Sequence, residues 1–241
     1  MILACHQPQY LAWLGYYDKM ARCDLFVYLD GVQYKRREFQ NRNRIKTPHG
    51  PLWLTVPVRS KGRRAQTVAA VETDPGQDWA REHALTLRHH YRRAARYAEQ
   101  EAFLDDFYGR PWPRLAPACY ALDARLREQF GIKTPTVLES EVGSQGTATA
   151  RLLSLCRRLK ADAYLSGAGG RDYLDEEEFA RAGIGLLYQE YAPPTYPQGP
   201  GPFLPRLAAL DLLLHGGAEA WTRSVNLRCD ESRMAAGPKM C

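Results

Sequence analysis

The chain has no Cys-x-x-Cys pair, no apolar run near membrane-spanning length, no low-complexity linker and no internal repeat. Each absence excludes something. Its six cysteines (5, 23, 119, 156, 229 and 241) are scattered, most of them in apolar surroundings, which argues for reduced thiols in a cytoplasm and against a disulfide framework. No Cys or His pair has ligand spacing, so no metal site is expected. No apolar stretch approaches the roughly 20 residues that a bilayer span needs. Met1-Ile2-Leu3-Ala4-Cys5 is too short for a signal-peptide core and has no basic region ahead of it. It reads instead as a buried first strand.

What is present is enough for a core. With 241 residues and 45% hydrophobic content, the chain can form one large domain, residues 1–241. The net charge of +6 favours anionic partners, and it is unevenly spread. Residues 33–46 carry six basic side chains against one acid, Glu38, and Arg59-Ser60-Lys61-Gly62-Arg63-Arg64 adds more. Guanidinium forks suit phosphate, so this segment reads either as a solvated basic loop or as a phosphate-binding lip. The aromatics are not interleaved with the arginines in a known nucleic-acid-binding motif.

The pattern along the chain predicts an α/β fold, a Rossmann-like and mostly parallel sheet with a helical insertion. Met1 to Cys5, a helix within Tyr10 to Ala21, and Leu25 to Leu29 form a strand–helix–strand unit. Leu52 to Val58 reads as a third strand and residues 67–72 as a fourth. From Asp78 to Phe130 the spacing turns helical, in two groups separated by Pro111-Trp112-Pro113; residues 78–130 are therefore expected to be a helical insertion or a cap over a sheet edge. A second unit follows, with strand Thr136 to Glu139, a helix carrying Leu152, Leu153, Leu155 and Cys156, and strand Ala161 to Leu165. Ile184 to Tyr188 is a further strand, Leu204 to Leu214 a helix, and the tail from Asp230 a loose polar end.

Ligands of open α/β sheets sit outside the carboxyl ends of the strands. The first strand runs into His6-Gln7-Pro8 and the turn Trp13-Leu14-Gly15-Tyr16, the second into Asp30-Gly31. The strand 161–165 runs into Ser166-Gly167-Ala168-Gly169-Gly170-Arg171-Asp172-Tyr173, whose glycines let the backbone approach a ligand. His6 is the candidate general base, because an unperturbed imidazole titrates near neutral pH. The alternative is a structural histidine at a strand end. Asp30 either orients His6, binds an amine, or forms an Asp-Gly turn. Gln7, Gln33, Asn41 and Asn43 would read neutral polar groups, and Arg42, Arg44 and Lys46 would hold phosphate or carboxylate. Tyr10, Trp13, Gly15, Tyr16, Ser166, Gly167, Asp172 and Tyr173 complete the expected binding set. Cys5 alternates away from His6 along its strand, so a Cys–His nucleophile pair is not expected.

Several blocks together resemble the WbqC-like family over nearly the whole length. They are His6-Gln7-Pro8-Gln9-Tyr10-Leu11, Trp13-Leu14-Gly15-Tyr16, Phe26-Val27-Tyr28-Leu29-Asp30, Val32-Gln33-Tyr34, Gln40-Asn41-Arg42-Asn43-Arg44-Ile45-Lys46 and Trp53-Leu54-Thr55-Val56-Pro57-Val58. Further along come Tyr164-Leu165-Ser166-Gly167, Asp172-Tyr173-Leu174, Tyr196-Pro197-Gln198 and Leu210-Asp211-Leu212-Leu213. Ala12 departs from the proline usual in that family. The resemblance implies a role in bacterial O-antigen, other surface-glycan or secondary-metabolite biosynthesis, with a suggested glycine (aminoacyl) transfer. A second resemblance is to the HUP-type nucleotidylyltransferases, where two histidines flank the glycine of the first turn and hold ATP phosphates. Here Trp13 and Tyr16 take those positions, which puts ATP use through that turn in doubt.

The resulting expectation is a biosynthetic transferase that forms an amide by acyl or aminoacyl transfer to an amino-sugar or other small amine. Its expected substrate is anionic or phosphorylated, with ATP as a possible cofactor and none certain. The alternatives are an ATP-dependent HUP-like ligase or nucleotidyltransferase, an aminoacyl-tRNA-binding transferase, and a non-catalytic scaffold of a glycan-assembly complex.

Overall fold

The computed structural model describes residues 1–236, and side chains as far as Thr222. Five parallel strands form the central sheet in the order β5-β2-β1-β6-β7: β1 Ile2–His6, β2 Leu25–Tyr28, β5 Thr136–Leu138, β6 Ala163–Ser166 and β7 Gly185–Tyr188. Both faces of this sheet are covered, which is why β1 and β2 are almost uninterruptedly apolar. Successive side chains still alternate between the faces. Leu3, Cys5, Val27 and Tyr164 pack against α6 (Ala148–Arg158) and α7 (Glu176–Arg181), while Ala4, Phe26, Tyr28 and Leu165 pack on the opposite face.

That opposite face is covered by α1 (Leu14–Ala21), by α2 (Trp79–Tyr91), α3 (Tyr97–Gly109) and α4 (Leu115–Gln129), and by the first part of α8 (Ala209–Ala236). Residues 78–130 thus form three helices, α2 and α3 before the Pro111-Trp112-Pro113 break and α4 after it, and they share one continuous core with the sheet. Tyr28 lies on Tyr120, and Tyr17 and Trp221 on Phe130. The segment is a layer of the core rather than an edge cap.

Two expectations for the segment after β2 need correction. The basic segment is not a loop throughout: β3 (Arg42–Thr47) pairs antiparallel with β4 (Gly50–Thr55) in a separate two-stranded sheet. Residues 67–72 are not a strand. They hold a 3-10 turn, Val68–Ala70, flanked by single bridges from Thr67 to Gln33 and from Glu72 to Arg114. Toward the other end of the chain, the helix expected from Leu204 begins at Ala209 and is broken at Gly217 (φ 68°), close to its expected end; a second helical stretch then continues to Ala236, past the point where a loose tail was expected. Cys5, Cys23, Cys119 and Cys156 are free and buried, as their apolar contexts predicted. The thiols of Cys229 and Cys241 lie outside the described residues. No described helix is long and apolar enough to cross a membrane.

The connection order has one functional consequence. From β1 the chain moves outward to β2 and β5 on one side, then to β6 and β7 on the other. The reversal leaves a crevice outside the carboxyl ends of β1 and β6, the usual ligand position in open α/β sheets.

Candidate functional site

A cavity of about 290 Å³ opens at that reversal point, lined among others by His6, Gln7, Lys19, Ser166, Gly167 and Tyr173. The sheet brings the ends of β1 and β6 together through the register Ile2–Ala163, Leu3–Tyr164, Ala4–Leu165. Beyond Ser166 the chain turns tightly through Ala168–Asp172, with the Gly170 amide donating to the Gly167 carbonyl at 2.9 Å. Gly170 is required by space: a Cβ there would stand 2.0 Å from Ser166 Oγ. The glycine-rich stretch thus folds back over its own strand end and leaves Gly167 and Gly169 on the cavity wall.

His6 is fixed by two neighbours. Its Nδ1 lies 3.0 Å from the Gln7 carbonyl oxygen, and its ring meets Tyr16 edge-on with centroids 5.0 Å apart. A carbonyl only accepts, so Nδ1 carries the proton and Nε2 the lone pair. Burial first, and then the Lys19 ammonium, pull the imidazole pKa from 6.5 down to about 3. The expectation that His6 titrates near neutral is therefore overturned. It is a neutral imidazole at physiological pH, a hydrogen-bonding group more than a strong base.

Lys19 is the feature that sequence reasoning missed. It projects from α1 beneath the end of β1, is only 4% exposed, and donates from Nζ to the Cys5 carbonyl oxygen at 2.9 Å. Desolvation lowers its pKa from 10.5 to about 8. The signal was an Asp18-Lys19 pair inside a helix whose neighbours Tyr16, Tyr17 and Met20 are all core residues. Asp18 is consumed locally: its carboxylate accepts from Arg22 and Gln189. Cys5 faces away from His6, as strand alternation required, and its burial pushes the thiol pKa well up.

Along the rest of the carboxyl edge the polar residues are mutually engaged. Asp30 does not orient His6: its two carboxylate oxygens accept from the Ser140 amide at 2.9 Å and the Ser140 hydroxyl at 2.7 Å, which ties β2 to the short helix Glu139–Val142. Glu139, 2% exposed, pairs with Arg151 at 3.1 Å and accepts from Ser144. Gln7 accepts from Gln40 Nε2, and Gln40 in turn accepts from the Lys35 amide. Through this chain the start of the basic segment is fastened to the cavity rim.

Several residues of the expected set sit elsewhere. Gly15 is buried beneath the Trp13 indole; a Cβ would lie 2.4 Å from that ring, so the glycine serves packing. The Tyr10 hydroxyl is shared with His83 and Tyr108 inside the core. Asn41 and Asn43 donate to the carbonyls of Val56 and Leu11, which makes them framework residues. Gln33 donates to the Arg64 carbonyl and joins the two basic stretches. Arg42 and Arg44 lie over Trp53 at 4.4 and 5.5 Å on the outward face of the β3–β4 hairpin. Asp172 is exposed, and its neighbour Arg171 covers the Tyr188 ring at 4.1 Å. Lys46 donates to the Pro202 carbonyl and lines a second cavity of about 300 Å³ beside Gln198 and His215. That cavity is backed by Asp211, whose carboxylate accepts from Tyr91, Tyr196 and Gln198. No group of three or more potential metal ligands occurs among the described residues.

Comparison with known proteins fits this arrangement to a family. The model of the WbqC-like protein family matches residues 7–223, so the match takes in Gln7, Lys19 and the Ser166–Tyr173 wall of the cavity and begins one residue after His6. The chain is 36% identical over 220 residues to the Mycobacterium tuberculosis protein described as "Uncharacterized protein Rv1507c", covering 90% of this chain and 95% of that one. No solved structure matches. The chain belongs to the WbqC-like protein family.

Proposed function

We propose that this member of the WbqC-like family is a biosynthetic transferase that forms an amide at the β1–β6 crevice, by acyl or aminoacyl transfer to an amino-sugar or other small amine. The observation that carries the reading is the convergence of His6, Gln7, Lys19, Ser166 and the Gly167–Gly169 backbone on one cavity at the sheet's reversal point. In such a transfer the amine lone pair forms the new C–N bond as the bond from the acyl carbon to its leaving group breaks, and the proton that the amine sheds is taken up by the departing group. His6 Nε2 is the lone pair positioned to receive a hydrogen bond from that amine. With its pKa near 3, the imidazole orients the nucleophile and does not hold the proton. Backbone amides of the glycine-rich turn supply fixed dipoles for the charge that develops on the carbonyl oxygen.

An ATP-dependent ligase would work in the same crevice, although Trp13 fills the space over Gly15. A tRNA-borne donor is favoured by a separate observation: exposed Phe39 and Trp53 stand beside Arg42 and Arg44 on the hairpin. Mass spectrometry of molecules that co-purify with the protein, followed by assays with amino acids, amines and ATP, tests the reading. Amide product that depends on His6 supports it. Release of AMP, of ADP or of neither assigns the donor chemistry. No turnover with any donor, or full turnover by His6→Ala, overturns it. Transfer from aminoacyl-tRNA would show a steep fall in affinity with salt.

A further inference from the structure

We propose that Lys19 is the charged anchor for an oxyanion group, phosphate or carboxylate, of the ligand that occupies the β1–β6 crevice. This deepens the placement of the ligand at that crevice and rests on it. The basic segment 33–46 was the expected source of positive charge, but none of its side chains lines the crevice. Arg42 and Arg44 lie over Trp53, and Lys46 faces another cavity. Among the described residues that line the crevice, Lys19 is the one ammonium or guanidinium.

The geometry supplies what an anion needs. An ammonium has three donors. One proton of Lys19 is held by the Cys5 carbonyl at 2.9 Å, and no other protein acceptor takes Nζ among the described residues, so the remaining donors are left for whatever enters the cavity. A buried ammonium without a carboxylate partner is costly in an apolar setting, and a ligand anion lowers that cost. Across the cavity the chain offers the Ser166 hydroxyl and the backbone of Gly167 and Gly169, small enough to let an oxyanion approach the main chain.

The groups facing Lys19 sharpen the chemistry. Cys5 and His6 come from β1, Cys23 from the turn after α1, Tyr164 from β6 and Tyr173 from the turn after it. The Cys5 thiol and the Tyr164 phenol are raised well above their usual ranges, Cys23 is pushed to about 12, and His6 is pulled to about 3. Tyr173 is also raised. Between pH 7 and 9 the group that changes charge in the crevice is therefore Lys19, with its pKa near 8.

The test uses the full chain and two probes that do not titrate in that window: sulfate in place of a phosphate group and acetate in place of a carboxylate. Amide NMR shifts of Gly167 and Gly169 would locate binding, and titration would measure affinity. At least one probe is expected to bind at these amides, and the better probe names the oxyanion class. Affinity should fall steadily above pH 8, Lys19→Met should weaken it by tenfold or more, and Lys19→Arg should retain most of it. Two results overturn the proposal: neither probe moves those amides in the wild-type protein, or affinity is flat from pH 7 to 10. Should Lys19→Met fail to fold, the wild-type Lys19 Nζ titration decides, because saturating sulfate must raise its pKa; an unchanged value overturns the assignment. The two readings fail separately. Anion binding through Lys19 without amide formation overturns the transfer reading alone. Amide formation undiminished in Lys19→Met, with no anion binding, overturns this one alone.

Discussion

Lys19 Nζ donates to the backbone carbonyl oxygen of Cys5 at 2.9 Å, one residue before His6. The contact places an ammonium under the end of the central strand and joins α1 to β1. It also explains the state of the histidine. A positive charge nearby and little water both disfavour a second cation, so His6 stays neutral.

Acid should destabilise the fold through two buried histidines. His6 is pulled to about 3 and His83 to about 4, both mainly by burial, whereas their unfolded forms titrate near 6.5. Between those values the unfolded chain binds protons that the folded chain refuses, so stability rises with pH from about 3 to 6.5 and is fully present above 6.5. Each histidine contributes a slope of up to about 1.4 kcal/mol per pH unit. Urea unfolding from pH 4 to 7 measures it, and His6→Gln should lower the slope by one histidine's share; Asp123, pushed up to about 6 by burial, contributes a slope of the opposite sign between about 3.8 and 6. An unchanged slope would show that the imidazole is accessible to water.

Gly15→Ala should cost about 1–3 kcal/mol by forcing a methyl group into the Trp13 ring. In a Trp13→Ala background the same substitution should be neutral, or stabilising by up to about 1 kcal/mol, because alanine is the better helix former. A double-mutant cycle read by thermal or urea unfolding gives the coupling directly. Equal costs in both backgrounds would mean that the ring does not rest on the glycine.

Gly170→Ala should disturb the cavity from the opposite wall. The added methyl would meet Ser166 Oγ at 2.0 Å and the Leu174 side chain at 3.0 Å, so either the serine rotates or the turn shifts. The expected outcome is a loss of about 1–3 kcal/mol together with moved amide resonances at Gly167 and Gly169. Combining it with Ser166→Ala should recover part of the stability. If Gly170→Ala leaves both unfolding and those resonances unaltered, the close approach is not real.

Glu139 and Arg151 form the buried ion pair of the carboxyl edge, with side chains 3% and 23% exposed. Arg151→Met removes the counter-charge and should cost about 3–5 kcal/mol, since it strands a buried carboxylate. Glu139→Gln in the same chain should restore much of it. Calorimetry on the single and double variants checks the sign of the coupling.

The strands of the central sheet were readable because a parallel strand buried on both faces is a short apolar run bounded by polar turns. Ile2–His6, Leu25–Tyr28 and Ala163–Ser166 all have that form. The cavity wall was readable for the same reason: His6-Gln7 and Ser166-Gly167 directly follow such runs. The β3–β4 hairpin was harder, because Arg42, Arg44 and Lys46 alternate with Asn43 and Ile45 in a segment whose charge masks its period of two. Residues 67–72 misled in the opposite direction: their apolar side chains serve a turn that packs on α4.

By itself the sequence determined the α/β class, the two strand ends that border the crevice, and a surplus of positive charge, since these follow from local pattern and composition. Tertiary structure decided which charge lines the crevice. Arg42 and Arg44, on a separate hairpin, find partners in the Trp53 ring and in the carbonyls of Arg37 and Arg206. A lysine hidden in an apolar helix is carried under the crevice when α1 folds back onto β1. Burial there lowers the pKa of the lysine and of the histidine beside it. That environment arises only when residues distant in the chain exclude water together.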